Sequence, residues 1–361
     1  MAVREKPALM LSIAFLCNAS SPIGGGHVMR CLALAEELAG GGATVRFAVN
    51  QDAPHVVPSL ERAGFSLTTG RTLIEAARIA GRQGRVNVAI CDSYEIDAKF
   101  ERSMRKLAAK VVAIDDLANR RHDCDLLIDA NYGHTAEDYR GLVPSGATVC
   151  AGAHYAFLRQ EFAALRETSL ARRATVGGVD RILVSLGLTD VGGVTARVVA
   201  ALLSTQLKAR IDVVVGPAAQ CRIALAEMTL RDSRLALHVD PADMAHLMTN
   251  ADIAIGAGGT SSWERCCLGL PTVLAVLADN QRKIAEKLGE AGAVGLALGV
   301  GEDLVAEITQ KVMELSNDAS ARRRMSGAAA MIVDGRGATR AAEAIYTLIK
   351  RDAHADDRQC A

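Results

Sequence analysis

The chain is poor in aromatic side chains, carries no excess charge of either sign and holds no long unbroken apolar run. Aromatics are 3% of its 361 residues while half of all residues are hydrophobic. A core is therefore affordable only from Ala, Val, Leu and Ile. Lys plus Arg (41) equals Asp plus Glu (41). Nucleic acids and anionic membranes require a basic excess that displaces counterions, so neither is expected as a partner. No segment approaches the about 18 apolar residues that span a bilayer, so no membrane helix is expected. The opening MAVREKPALMLSIAFLCNAS combines charge and an apolar stretch as a secretory leader does. The serine that interrupts Ala8–Cys17 fits a first buried strand better.

C-x-x-C pairs are missing as well. The cysteines stand at 17, 31, 91, 124, 150, 221, 266, 267 and 360, mostly inside apolar segments. They read as reduced, buried small hydrophobes of a cytoplasmic protein. His122 and Cys124 lie close together without a second ligand pair at zinc spacing, so no metal is expected.

What is present is alternation. Short apolar runs at Leu9–Leu16, Thr44–Val49, Val86–Cys91, Val111–Ile114 and Leu126–Ile128 are separated by helical patterns at Met29–Leu38, Leu73–Arg82 and Ala98–Ala109. A charged helix and linker (Tyr155–Gly178) follows. A second series has strands at Arg181–Leu186, Ile211–Val215, Leu235–His238, Ile253–Ile255, Thr272–Val276 and Val294–Leu298. Its helices include Val194–Leu203, Ala242–Met248 and Ser261–Leu268. This is the pattern of an α/β chain with two doubly wound, Rossmann-like domains. Residues 1–155 form the first, 156–178 the linker helix, 179–335 the second, 336–350 a last helix and 351–361 a polar tail. Such sheets bind ligands at the carboxyl ends of their strands, which places the site between the domains.

Two glycine loops lie at those ends. The first, SSPIGGGHVMRCLALAEEL (Ser20–Leu38), has Gly24, Gly25 and Gly26 before His27 and a helix. It is not the G-x-G-x-x-G fingerprint, because Met29 stands where the last glycine belongs, and it has no Gly-Lys-Ser/Thr. NAD and ATP are disfavoured, and no cofactor is expected. His27 falls in the first helical turn, where the dipole favours the neutral ring. That suits a general base, although a loop cap or a phosphate-binding ring would fit the same position. The second loop, IGAGGTSSWERCCLGLPTVLAVLADNQ (Ile255–Gln281), offers Gly258, Ser261 and Ser262 at a helix start to a phosphate. Glu264 suits a ribose, or simply a helix dipole. Asn280 and Gln281 sit at the edge of the next strand. SLGLTD (Ser185–Asp190) brings Gly187, Thr189 and Asp190 to the same edge. In the first domain AICDSYEID places Tyr94 beside a strand end. Asp115 or Asp116 follows the next strand, to orient His27, contact a sugar or cap the turn.

These stretches, with IDDLANRRHDCDLLIDANYG and GAHYAFLRQEF, occur in one order over about residues 9–335. Together they resemble the UDP-sugar hydrolases of pseudaminic acid synthesis (PseG type). The resemblance implies the GT-B fold shared with the MurG glycosyltransferase, and a metal-independent cytoplasmic enzyme in the supply of flagellin glycans. The implied reaction releases UDP from UDP-2,4-diacetamido-2,4,6-trideoxy-β-L-altrose. It also implies His27 as the base that activates water, Tyr94 and Asn280 as catalytic partners, and Glu264 as the ribose-binding acid. The same sites on a GT-B chain would serve a glycosyltransferase, or a partner that binds a nucleotide sugar without turnover. Three departures stand out, one being Leu16 and Cys17 where the family often has an arginine. Asn18 occupies a position where the family has aspartate, and Leu188 interrupts a glycine-rich phosphate loop.

Overall fold

The computed structural model describes residues 11–175, 177–190 and 192–359, with 351–359 as backbone only. Seven strands form the first sheet: β1 (Ser12–Cys17), β2 (Thr44–Asn50), β3 (Ser66–Gly70), β4 (Val86–Asp92), β5 (Ala108–Ile114), β6 (Leu126–Asp129) and β7 (Thr148–Ala151). Their order is β3-β2-β1-β4-β5-β6-β7, and every pairing is parallel. Six more build the second sheet: β8 (Arg181–Ser185), β9 (Arg210–Val215), β10 (Leu235–Val239), β11 (Ile253–Ala257), β12 (Thr272–Ala275) and β13 (Gly295–Ala297). These are ordered β10-β9-β8-β11-β12-β13, again all parallel. In each sheet the strand order reverses beside the first strand, at β1/β4 and at β8/β11. Ligand-binding loops of doubly wound sheets gather at such switch points.

Both faces of each sheet are covered, which is why the strands read as unbroken apolar runs. Along β1 the side chains alternate between two cores. Ile13, Phe15 and Cys17 pack on the helix Gly26–Gly40, while Ala14 and Leu16 face the helix Leu73–Gly81. Each leucine fully buried from the Gly26–Gly40 helix, such as Leu34 and Leu38, stabilises the domain by roughly 1.5–3 kcal/mol.

Several boundaries differ from the sequence expectation. β3 and β7 were not expected. Both are edge strands: β3 is largely polar (SLTTG), and β7 is only four residues long and partly exposed (TVCA), so neither carries a long apolar run. The helix expected over Ala98–Ala109 ends at Met104, and Ala108 already pairs with Val86 in β5. Leu9 and Met10, where the first strand was expected to begin, lie outside the described residues. The chain crosses between domains at the helix Gln160–Thr175 and returns through the helix Gly337–Gln359. Ala341, Ala342 and Ile345 of that last helix join the core of the first domain. The helix continues through the stretch whose polarity suggested a tail from Arg351, because RDAHADDRQ contains no glycine or proline to stop it. Among the described residues no helix is long and apolar enough to cross a membrane.

Candidate active site

The first glycine loop is a tight turn closed by Gly24 N–H donating to the Ser20 carbonyl at 2.7 Å. Gly24 has φ +80°, a conformation that costs a side-chain-bearing residue about 1 kcal/mol or more. Gly25 and Gly26 are needed for another reason. A Cβ on Gly25 would lie 2.6 Å from Val57 Cγ2 and 2.9 Å from Leu188 Cδ1, and one on Gly26 would lie 3.3 Å from Thr260 Oγ1. Leu188 and Thr260 belong to the second domain, so the two glycine loops meet directly. Leu188 adds its side chain to the first domain's core.

His27 follows in the first turn of its helix and is 6% exposed. Its Nδ1 lies 3.1 Å from Asn18 Oδ1. An amide oxygen only accepts, so Nδ1 carries the proton and Nε2 keeps its lone pair. No described residue engages Nε2. Burial holds the imidazole below its ordinary range; Asp92 and Asp116 oppose this, while Arg30 and Arg120 assist it. The neutral ring expected from the helix dipole is thus favoured chiefly by desolvation. The Tyr94 ring stands edge-on to His27, with centroids 4.6 Å apart.

Sequence reasoning missed the cation at the centre of this group. Arg30, one helical turn from His27, donates from Nε and Nη2 to the two Asp92 oxygens at 2.6 and 2.5 Å. Its Nη1 donates to Asp116 Oδ2 at 2.8 Å. The i, i+3 spacing on one helix face was the available signal. Asp116 Oδ2 also accepts from the Tyr94 hydroxyl at 3.1 Å. Burial, and then Asp116, push the Tyr94 phenol upward, so it stays protonated. Asn280 Nδ2, from the second domain, donates to the same hydroxyl at 3.4 Å.

Asp115 stands apart from this group and takes the turn-capping alternative that its position also allowed. Its carboxylate faces inward and accepts from the Leu117 and Ala118 amides and the Tyr139 hydroxyl. It also ion-pairs with Arg120 at 2.5 Å. It caps the turn, and its neighbour Asp116 faces Arg30 and Tyr94.

In the second domain Gly187 has φ +116° and open space around it. Thr189 is almost fully buried. Asp190 is spent on structure: with φ +51° it accepts from Thr195 N–H at 3.0 Å and Thr195 Oγ1 at 2.5 Å. Gly258 lets Gln281 pack close, since a Cβ there would be 3.0 Å from Gln281 Cβ. Gln281 Oε1 turns back to accept from Leu277 N–H. Ser262 is buried and donates to the Ala257 carbonyl at 3.3 Å. Ser261 is partly exposed, and its oxygen accepts from Arg265. Glu264 is half-buried, 3.8 Å from Arg159, and burial raises its carboxyl above the usual range. A groove of about 590 Å³, lined by residues including Ile223, Leu230 and Val239, lies on β10 and the helix before it, and none of these loops lines it.

Two Rossmann-like domains with facing switch points define the GT-B fold. Acinetobacter baumannii MurG superposes with a TM-score of 0.63 at 15% identity, over 93% of this chain and 99% of that one. The S. aureus MnaA–UDP structure superposes at 0.62 with 13% identity, over 92% and 94%. No protein-family model matches the chain. Three relatives are distant. A Campylobacter jejuni protein named UDP-2,4-diacetamido-2,4,6-trideoxy-beta-L-altropyranose hydrolase is 23% identical over 283 residues, 78% of this chain and 97% of its own. An uncharacterized Methanocaldococcus jannaschii protein is 26% identical over 284 residues, 76% of this chain. The Bacillus subtilis spore coat polysaccharide biosynthesis protein SpsG is 26% identical over 231 residues, 63% of this chain. The matches span 57% of the archaeal relative's length and 66% of the Bacillus relative's.

Proposed function

We propose that the chain hydrolyses a UDP-linked diacetamido-trideoxy hexose at the anomeric carbon, releasing UDP and the free sugar for pseudaminic acid synthesis. The observation that carries this reading is the His27–Asn18 pair. It leaves a neutral imidazole with a free Nε2 at the switch point of one sheet, opposite the glycine loop of the other. The name of the Campylobacter relative supports the substrate class.

In this mechanism the Gly26–Thr260 and Tyr94–Asn280 contacts part to admit the nucleotide sugar and then close over it. Glu264 holds the ribose. Gly187, Thr189, Gly258 and Ser261 line the diphosphate, while Gly24 keeps the sugar side open and Gly26 lets Thr260 close against the first loop. His27 Nε2 takes a proton from water as the water oxygen bonds to C1. The C1–O bond breaks with its electron pair going to the β-phosphate oxygen, and the configuration inverts. UDP is a good leaving group, so no strong acid is needed. Tyr94 and Asn280 orient the sugar and the departing phosphate. Asp115, Asp190, Ser262 and Gln281 shape the loops. Excluding bulk water on closure positions the attacking molecule.

The test is incubation of the pure protein with the UDP-sugar and no acceptor. UDP release that disappears in His27→Ala is the expected result. Release only with an acceptor hydroxyl present points to a glycosyltransferase. UDP binding without turnover points to a binding partner.

A further inference from the structure

We infer that Arg265 is a positioning residue for the diphosphate. Sealed beneath the second glycine loop, it grips the Ser261 hydroxyl as an acceptor, leaves that hydroxyl's proton for a phosphate oxygen and sets an uncompensated positive charge behind it. The inference rests on the nucleotide-sugar reading above and adds a residue that reading does not use.

Arg265 is 2% exposed. Its Nη1 donates to Ser261 Oγ at 2.9 Å, and its Nη2 donates to the Ala257 carbonyl at 2.8 Å and to Ser262 Oγ at 3.0 Å. Nε has no acceptor. Every acceptor is neutral, and no ion pair to Arg265 occurs among the described residues; Glu264 acts on it only through space. Burial draws its pKa down to about 10, so the guanidinium is still charged at neutral pH.

The other buried arginines have their charge answered. Arg30 has Asp92 and Asp116. Arg173 donates to the carbonyls of Met248, Ala251 and Leu268, and Arg322 to those of Leu315 and Ser316, at helix C-termini whose dipoles offset a cation. An unanswered buried charge is costly, and an anionic ligand would offset it.

The loop is also shaped around this side chain. A Cβ on Gly256 would lie 2.4 Å from Arg265 Cζ, so any larger residue there evicts the guanidinium. The two serines it grips then divide their roles. Ser262 gives its proton to the Ala257 carbonyl. Ser261 is partly exposed, and no described residue accepts its proton. A hydroxyl that accepts from a cation donates a stronger hydrogen bond in turn.

Calorimetric titration with UDP, uridine and inorganic pyrophosphate tests this on wild type, Arg265→Met, Arg265→Lys and Ser261→Ala. Arg265→Met is expected to weaken UDP and pyrophosphate about 10–100-fold, the loss of charge-assisted hydrogen bonds, while uridine affinity stays unchanged. Arg265→Lys should recover part of that loss. Ser261→Ala should weaken UDP about 5–10-fold and spare uridine, and it decides the matter if Arg265→Met does not fold. If wild type binds UDP and the folded variants keep its margin over uridine, the inference is overturned alone. If wild type binds neither UDP nor pyrophosphate, the nucleotide-sugar reading falls and takes the inference with it.

Discussion

Asn280 of the second domain donates to the hydroxyl of Tyr94 in the first, at 3.4 Å, and that hydroxyl in turn donates to Asp116. The two residues hold the facing sheets together at the side of His27. Tyr94→Phe and Asn280→Ala should therefore be coupled in catalysis. Each is expected to lower kcat/KM about 3–10-fold, with the double variant short of the product by about 0.5–1.5 kcal/mol. Multiplicative effects would show that the contact carries nothing.

In the proposed mechanism Asn18 holds the His27 ring, and burial sets the pH below which that base is lost. A base acts in its neutral form, so activity is kept down to the imidazole pKa, which burial places below the ordinary range. Asn18→Asp puts a carboxylate against Nδ1 and favours the imidazolium. Its pKa should rise by about 1–3 units, moving the acid limb of kcat/KM to higher pH by the same amount. An unmoved limb would exclude His27 as the titrating base.

In the proposed mechanism closure requires that Gly25 carry no side chain. Gly25→Ala places a methyl against Val57 and Leu188, an overpacking of about 1–3 kcal/mol that either strains the loop or holds the domains apart. KM for the UDP-sugar should rise, and small-angle scattering should show a larger radius of gyration. Leu188→Ala relieves the cross-domain part of the clash and should restore compactness in the double variant.

The first domain also carries a buried histidine that should make its stability pH-dependent. Burial opposes the charge on His122, but Asp115, 3.7 Å from Nε2, and Glu101, 2.7 Å from Nδ1, outweigh it and raise the pKa to about 9. The folded value exceeds the unfolded one, near 6.5. The contribution is therefore complete below about pH 6.5 and lost as pH rises through 9, on the order of 2–3 kcal/mol. Denaturant midpoints should fall across that window in wild type and stay flatter in His122→Gln.

The interior of the fold was legible because buried parallel strands leave continuous apolar runs, and eleven of the thirteen strands carry one. β3 and β7 do not, the one being a polar edge strand and the other a four-residue, partly exposed one. In the site, the glycine–histidine loop and the Gly258–Glu264 loop announced themselves as strand-to-helix turns. Asp115 and Asp116 could not be told apart, because which carboxylate turns inward depends on Tyr139 and Arg120, distant partners whose positions only the fold supplies. Arg30 and Arg265 were hidden for a similar reason. An arginine inside a helix reads as surface until packing shows it buried. The glycines at 25 and 26 look like ligand room in sequence, whereas the structure fills that room with Leu188 and Thr260.

The central claim is that water, activated by His27, attacks the anomeric carbon. The most direct measurement is turnover in oxygen-18 water without an acceptor, followed by mass spectrometry of both products. The label is expected in the C1 hydroxyl of the released sugar, with none in UDP and no release from His27→Ala. Label in the UDP phosphate, or undiminished release from that variant, would contradict the claim.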